Sequence, residues 1–154
     1  MLRRATADDA DAIADVLRAA RAAQAWFPPL HSPEETRWFV GERLLPRNET
    51  WVVEEDGRVV AYAAIHGDHL NHLFVHPDSQ GCGIGTALLE HTQSLLPGGF
   101  SLWTHQASEA RTFYEARGLV AVEFTDGATT LEKIPDVRYE WRPRAPGARG
   151  SSGR

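Results

Sequence analysis

The sequence has a single cysteine, Cys82, so no disulfide can form within the chain and burial and hydrogen bonding must hold the fold. That scarcity fits a reducing compartment, and a cytoplasmic location is the expectation. No apolar run is long enough to cross a bilayer, and no apolar stretch near the start reads as a secretion signal, so no membrane role is expected. An excess of basic residues is missing too. Sixteen Lys and Arg stand against 21 Asp and Glu, a net charge of −5. Arg142–Arg154 carries four Arg and no acid, which leaves −9 (12 − 21) on residues 1–141. A body so acidic lacks the basic face of a nucleic-acid binder and suits a cationic acceptor such as an amine.

Enough is present for one domain of residues 1–141: 42% of the sequence is apolar and five Trp are available for a core. The remainder, 142–154, is rich in Pro, Gly, Arg and Ser and reads as a flexible basic tail. Along the chain, Arg3–Thr6 reads as a strand. Thr6 then caps a helix with Asp8 and Asp9 in its first turn and Ile13, Leu17 and Ala20 on its apolar face. Ser32-Pro33-Glu34-Glu35 is a capping box with proline at the first helical position; this second helix carries Trp38, Phe39 and Val40 and stops by Pro46. Trp51–Val53 and Val59–Ile65 read as strands joined by an Asp56-Gly57 turn of type I′. A strand over His69–Val75 follows the Gly67-Asp68 turn. A helix ends at Pro97-Gly98-Gly99, a strand covers Phe100–Thr104, and a helix over Ser108–Arg117 stops at Gly118. Leu119–Phe124 and Val137–Trp141 are the last strands, about the Thr125-Asp126-Gly127 turn. The order β-α-α-β-β-β-α-β-α-β-β is an α/β layer pattern with a mostly antiparallel first half.

The chemistry concentrates in Leu73–Gln93. An apolar strand ends at His76-Pro77, and Gln80-Gly81-Cys82-Gly83-Ile84-Gly85 leads into an amphipathic helix. The first amides of a helix have no partner inside it, and the helix dipole adds partial positive charge there, so a strand, a glycine loop and a helix N-terminus in that order suit a diphosphate. The dinucleotide fingerprint fails because Thr86 stands where its third glycine belongs, and the P-loop fails because the loop has no lysine. The spacing of Gln80, Gly83 and Gly85 fits Gln/Arg-x-x-Gly-x-Gly/Ala. With VHPDSQGCGIG, then LWTHQ, then ARTFYEARGL in order, the chain from about Arg3 to Trp141 resembles the GNAT superfamily of N-acetyltransferases.

That resemblance implies a single-domain fold with a mixed, mostly antiparallel sheet flanked by helices, and a splay between the fourth and fifth strands that admits acetyl-CoA. The cofactor would touch Phe74, Val75, Gln80, Gly81, Cys82, Gly83, Ile84, Gly85, Thr86, Ser108 and Tyr114. Its pyrophosphate would rest on the amides of Gln80 to Thr86. A backbone amide at the strand end, Val75 or its neighbour, would serve the oxyanion, and Tyr114 of the Phe113-Tyr114-Glu115 run would protonate the leaving thiolate. Many members carry Asn six residues before the Phe of that run. Here Ala107 stands there, with Gln106 and Ser108 as possible replacements.

For the general base His69 is the first choice, six residues before Val75, with Asp68, His72 and His105 behind it and a water relay as the alternative. Strict alternation puts residues 69, 71, 73 and 75 on one strand face and 70, 72 and 74 on the other. Those faces keep His66, His69, His72 and His76 from converging, so no metal site is expected. Trp26, Phe27, His31, Asn71 and Trp103 are the candidates for holding the acceptor, a small-molecule or peptide amine. The leading reading is an acetyl-CoA-dependent N-acetyltransferase working by direct attack on the thioester. The alternative is a non-catalytic acyl-CoA-binding sensor or interaction module. A monomer and a homodimer are both compatible with the sequence.

Overall fold

The computed structural model describes residues 1–143; the tail read at 142–154 falls almost wholly outside the described residues. One seven-stranded sheet runs through them in the order β1-β2-β3-β4-β5-β7-β6. The strands are β1 (Leu2–Arg4), β2 (Glu49–Glu55), β3 (Arg58–His66), β4 (His69–Val75), β5 (Phe100–His105), β6 (Val120–Thr125) and β7 (Asp136–Trp141). All neighbours are antiparallel except β4 and β5. Helix α1 (Ala10–Ala22) and helix α2, which begins as Pro33–Phe39, cover one face; α3 (Ile84–Leu95) and α4 (Ala110–Ala116) cover the other.

Local chemistry explains these elements. Asp9 accepts from the Thr6 amide (2.7 Å) and takes a two-pronged ion pair from Arg3 (2.9 and 2.9 Å), which ties β1 to the start of α1. Ile13, Val16, Leu17 and Ala20 then bury the inner face of α1 against Val52, Tyr62 and Ala64. Ser32 and Glu35 form the reciprocal cap at the start of α2 (3.1 and 2.7 Å). This helix does not stop before Pro46. It widens into a π turn over Val40–Leu44 and closes with Leu45–Arg47. The wider turn accommodates a proline that has no N–H for the i−4 ladder. Asp56 and Gly57 both have positive φ (53° and 75°), as the type I′ turn between β2 and β3 requires.

Two features position the site. β4 and β5 are bridged at one residue pair only, His69 with Ser101, and beyond it no ladder joins them. The sheet therefore opens toward the C-terminal ends of both strands. β4 also carries a bulge: Ala64 lies opposite His72 and Ile65 opposite Leu70, so Asn71 is the extra residue. The bulge breaks the strict alternation expected from the sequence. Leu70, Leu73 and Val75 share the α3/α4 face, while His72 and Phe74 share the α1/α2 face with Tyr62.

Candidate active site

The gap between β4 and β5 continues into an open cleft of about 930 Å³, walled by both strands, the 80–86 loop, the starts of α3 and α4, and the end of α1. At the loop, Gln80 turns back and donates from Nε2 to the Val75 carbonyl (3.1 Å). Gly83 takes φ of 83° as the N-cap of α3, a left-handed conformation costly for any side-chain-bearing residue, and it frees the following amides toward the cleft. Gln80, Gly81, Gly83, Ile84, Gly85 and Thr86 all line the cleft; Cys82 is exposed and lies off it.

The backbone of β4 supplies another donor. The His76 amide donates to Val60 O (2.8 Å), so residues 76 and 60 are a hydrogen-bonded pair. Antiparallel ladders alternate, which makes Val75 and Ala61 a non-bonded pair. The Val75 N–H therefore points away from β3, to the side where β5 has parted from the sheet.

Across the gap, Tyr114 is 6% exposed and packs on Phe113 and Tyr139. Its hydroxyl has no hydrogen-bond partner among the described residues, and it is not among the sealed polar atoms. Burial raises its pKa well above the ordinary tyrosine value, so it keeps its proton. Ser108 lines the cleft and accepts from the Ala110 amide (3.1 Å). Gln106 is committed elsewhere: its Nε2 donates to the Thr125 and Asp136 carbonyls (2.9 and 3.0 Å). Of the two neighbours of Ala107, only Ser108 therefore stays at the cleft.

The histidines divide. His69 bonds Ser101 Oγ through Nδ1 (2.9 Å) at the closed junction of β4 and β5 and stands outside the cleft lining. His72, on the same face of β4 as Phe74, lines the cleft instead. His72 Nδ1 shares a hydrogen bond with the Tyr62 hydroxyl (2.8 Å), and burial, then the Arg21 charge, lower its pKa to about 3. His105 lines the cleft, with Trp26 and Phe27 edge-on at 5.2 and 5.5 Å. Burial lowers its pKa as well. Trp26, Asn71, Phe74 and Trp103 line the cleft; Phe27 is not in the lining and packs behind it on Trp26, His105 and Arg21, and His31 is exposed and away from it. Asn71 is held by Asn48 (2.8 Å).

Five charged residues in the cleft lining, Arg21, Glu109, Arg117, Glu132 and Asp136, were not singled out by sequence. Arg117 donates to the Thr86 hydroxyl from Nε and Nη2 (3.0 and 2.8 Å) and lies 3.9 Å over the Phe113 ring, beside the α3 N-terminus. Arg21 and Glu132 lie at the end nearer α1 and the β6–β7 loop. Only the R-G-L pattern after the FYE run hinted at Arg117; nothing local marks Arg21 or Glu132. No cluster of His, Cys, Asp and Glu suited to a metal occurs among the described residues, and no helix among them is long and apolar enough to cross a membrane.

A mixed sheet that opens between its fourth and fifth strands, over a glycine loop and a helix N-terminus, is the architecture of GNAT acetyltransferases. The family model for the acetyltransferase (GNAT) domain matches residues 46–119, just under half of the chain. Peptidyl-lysine N-acetyltransferase YjaB of Escherichia coli (strain K12) is 36% identical over 76 residues, 49% of this chain and 52% of that protein. The chain thus spans about half the length of the curated relatives it matches. The likeness in three dimensions is wider. The solution structure of apo-form YjaB from Escherichia coli has a TM-score of 0.76 at 23% identity, covering 94% of this chain and 98% of that one. The structure of yncA, a putative acetyltransferase from Salmonella typhimurium with its cofactor acetyl-CoA, has a TM-score of 0.70 at 19% identity, covering 94% of each chain. Acetyl-CoA is the cofactor of this class.

Proposed function

We propose that the protein is an acetyl-CoA-dependent N-acetyltransferase that acetylates a primary amine of a small molecule or peptide by direct attack on the thioester. The observation that carries this reading is the unpaired Val75 N–H facing the same cleft as the α3 N-terminus and the Tyr114 hydroxyl. The amides from Gln80 to Thr86 and the Arg117 guanidinium take the pyrophosphate. The gap between β4 and β5, with Val75 in its lining, would admit the thioester arm.

The Val75 N–H donates to the carbonyl oxygen and stabilises the negative charge that grows there as the C–N bond forms. As the C–S bond breaks, Tyr114 Oη–H would give its proton to the departing sulfur, so that the thiol leaves, and Tyr114 would regain a proton from the amine's excess one through cleft water. The amine's excess proton passes to cleft water near His105. His72 is unsuited to hold it, because its basicity is too far depressed. His69 sits at the closed junction of the strands, and this reading leaves it a structural role through Ser101.

A thermal-shift titration with acetyl-CoA, CoA, NAD and ATP tests the cofactor. A ligand at a hundredfold its dissociation constant stabilises by about 2.7 kcal/mol. A shift with both CoA species and not with the others supports the reading. A shift with NAD or ATP alone overturns it. Binding of acetyl-CoA without turnover of any amine favours a sensor instead.

A further inference from the structure

Arg21 stands in the last turn of α1 with its guanidinium 4.8 Å over the Phe27 ring, and the residue lines the cleft. Its side chain makes no hydrogen bond and no ion pair within 4.0 Å to any described residue, and none of its guanidinium nitrogens is sealed from solvent. Arg3, Arg37, Arg111, Arg138 and Arg142 each hold a carboxylate. The surroundings of Arg21 are also short of negative charge. Tyr62 keeps its proton, His72 and His105 are held neutral, and Trp26 and Phe27 supply the apolar wall. Glu132 is the one carboxylate whose charge reaches Arg21 appreciably, and it stays beyond ion-pair distance.

A partly desolvated guanidinium without a counter-ion is unfavourable and is relieved by an anion that accepts from its planar fork. The pyrophosphate is already provided for at the other end of the cleft, by the 80–86 loop and Arg117. The anion for Arg21 therefore has to arrive with the acceptor.

We propose that Arg21 binds a carboxylate on the acceptor, so that the preferred substrate is a small amino carboxylic acid and not the side chain of a lysine within a polypeptide. This rests on the N-acetyltransferase reading above. A carboxylate fits the fork of Arg21 with two parallel hydrogen bonds. Trp26, backed by Phe27, walls the same end of the cleft. The acceptor's amine, on the far side of the molecule from that carboxylate, faces Val75 and the thioester between the strands. Glu132, on the loop between β6 and β7, disfavours a second carboxylate in the same space.

The test compares free amino acids with their carboxamides, a series of ω-amino acids of increasing length, and an internal-lysine peptide with both termini blocked. Acetyl transfer is read by thiol release and by product mass. The expected result is a kcat/KM at least about tenfold higher for an acid than for its carboxamide, because a site built to pair a charged group discriminates strongly against an analogue lacking it. In Arg21→Gln the acid-to-amide ratio collapses toward one. Arg21→Lys, which keeps the charge and loses the fork, recovers only part of it. Circular dichroism and acetyl-CoA titration on each variant show whether fold and cofactor site survive. Equal use of acids and amides by the wild-type protein overturns the proposal. So does an equal loss on both in Arg21→Gln with fold and cofactor binding intact, and so does turnover confined to the lysine peptide. Acetyl-CoA binding with no turnover anywhere on the panel also overturns it. Failure to bind acetyl-CoA at all is a different result, and removes the N-acetyltransferase reading on which the proposal stands.

Discussion

Tyr114 and Arg117 are neighbours on one helical run with separable tasks. Tyr114 is buried except where its hydroxyl reaches the cleft; that hydroxyl keeps its proton and has no hydrogen-bond partner among the described residues, which suits a group that meets a departing thiolate. Tyr114→Phe should lower kcat by about a hundredfold while leaving acetyl-CoA affinity close to that of the wild type, as steady-state thiol release and calorimetric titration would show. Arg117 is already held against the first turn of α3 by the Thr86 hydroxyl. Its loss in Arg117→Ala should raise the KM for acetyl-CoA by about tenfold or more, the scale of one charge-assisted hydrogen bond, with a smaller change in kcat. At this scale the sequence was informative where a motif carried the residue. Tyr114 and Gly83 come from ordered patterns. Arg21 and Glu132 do not, because what makes them notable is an absent partner in space, and no spacing in the chain records that.

Elements were legible where local chemistry decides them. The Ser32–Glu35 cap and the Asp56-Gly57 turn are visible because neighbouring residues make the stabilising contacts themselves. Ser32→Ala should cost about 1 kcal/mol in a denaturant melt. The loop between β6 and β7 is more demanding. Gly127 has φ of 76°, and a β-carbon there would overlap the Ile134 carbonyl. Gly127→Ala should therefore destabilise by about 2 kcal/mol or more, measured the same way. The bulge in β4 was not legible. Asn71 looks like any alternating strand residue, and the extra residue becomes apparent only when β3 is laid beside it. The missed residue shifts only what precedes it: His72 keeps the face it shares with Phe74, Leu70 moves to the face of Leu73 and Val75, and His69 leaves the cleft because it sits at the closed junction with Ser101. The π turn before Pro46 was hidden for a related reason: a proline forbids one ladder bond, and the sequence does not say how the helix will absorb the loss.

At the scale of the molecule, the order of elements along the chain and the helices on either side of one sheet follow the expected α/β pattern, and the splay of β4 from β5 appears as a single bridged pair. Only the splay had to come from family resemblance, since periodicity within a strand carries no information about its neighbour's departure. Stability should depend on pH through the groups this packing buries. His72 is held neutral down to about pH 3, while an unfolded imidazole binds its proton near pH 6.5. Below that pH the unfolded chain takes up more protons than the folded one, so stability falls as pH drops from about 6.5 toward 3. Asp9, whose carboxyl is kept low by Arg3, adds a further loss only below about pH 4. Melting temperatures across this range should show the first fall reduced in His72→Gln, with the part due to His69 and His105 remaining, and the second retained.

The most direct test of the whole account is acetyl transfer itself: acetyl-CoA and a panel of primary amines incubated with the protein, with free thiol and acetylated amine quantified together. The account predicts that both products appear in equal amounts, that at least one amine supports turnover, and that Tyr114→Phe slows both alike. Acetyl-CoA bound in the cleft with no amine acetylated would contradict it.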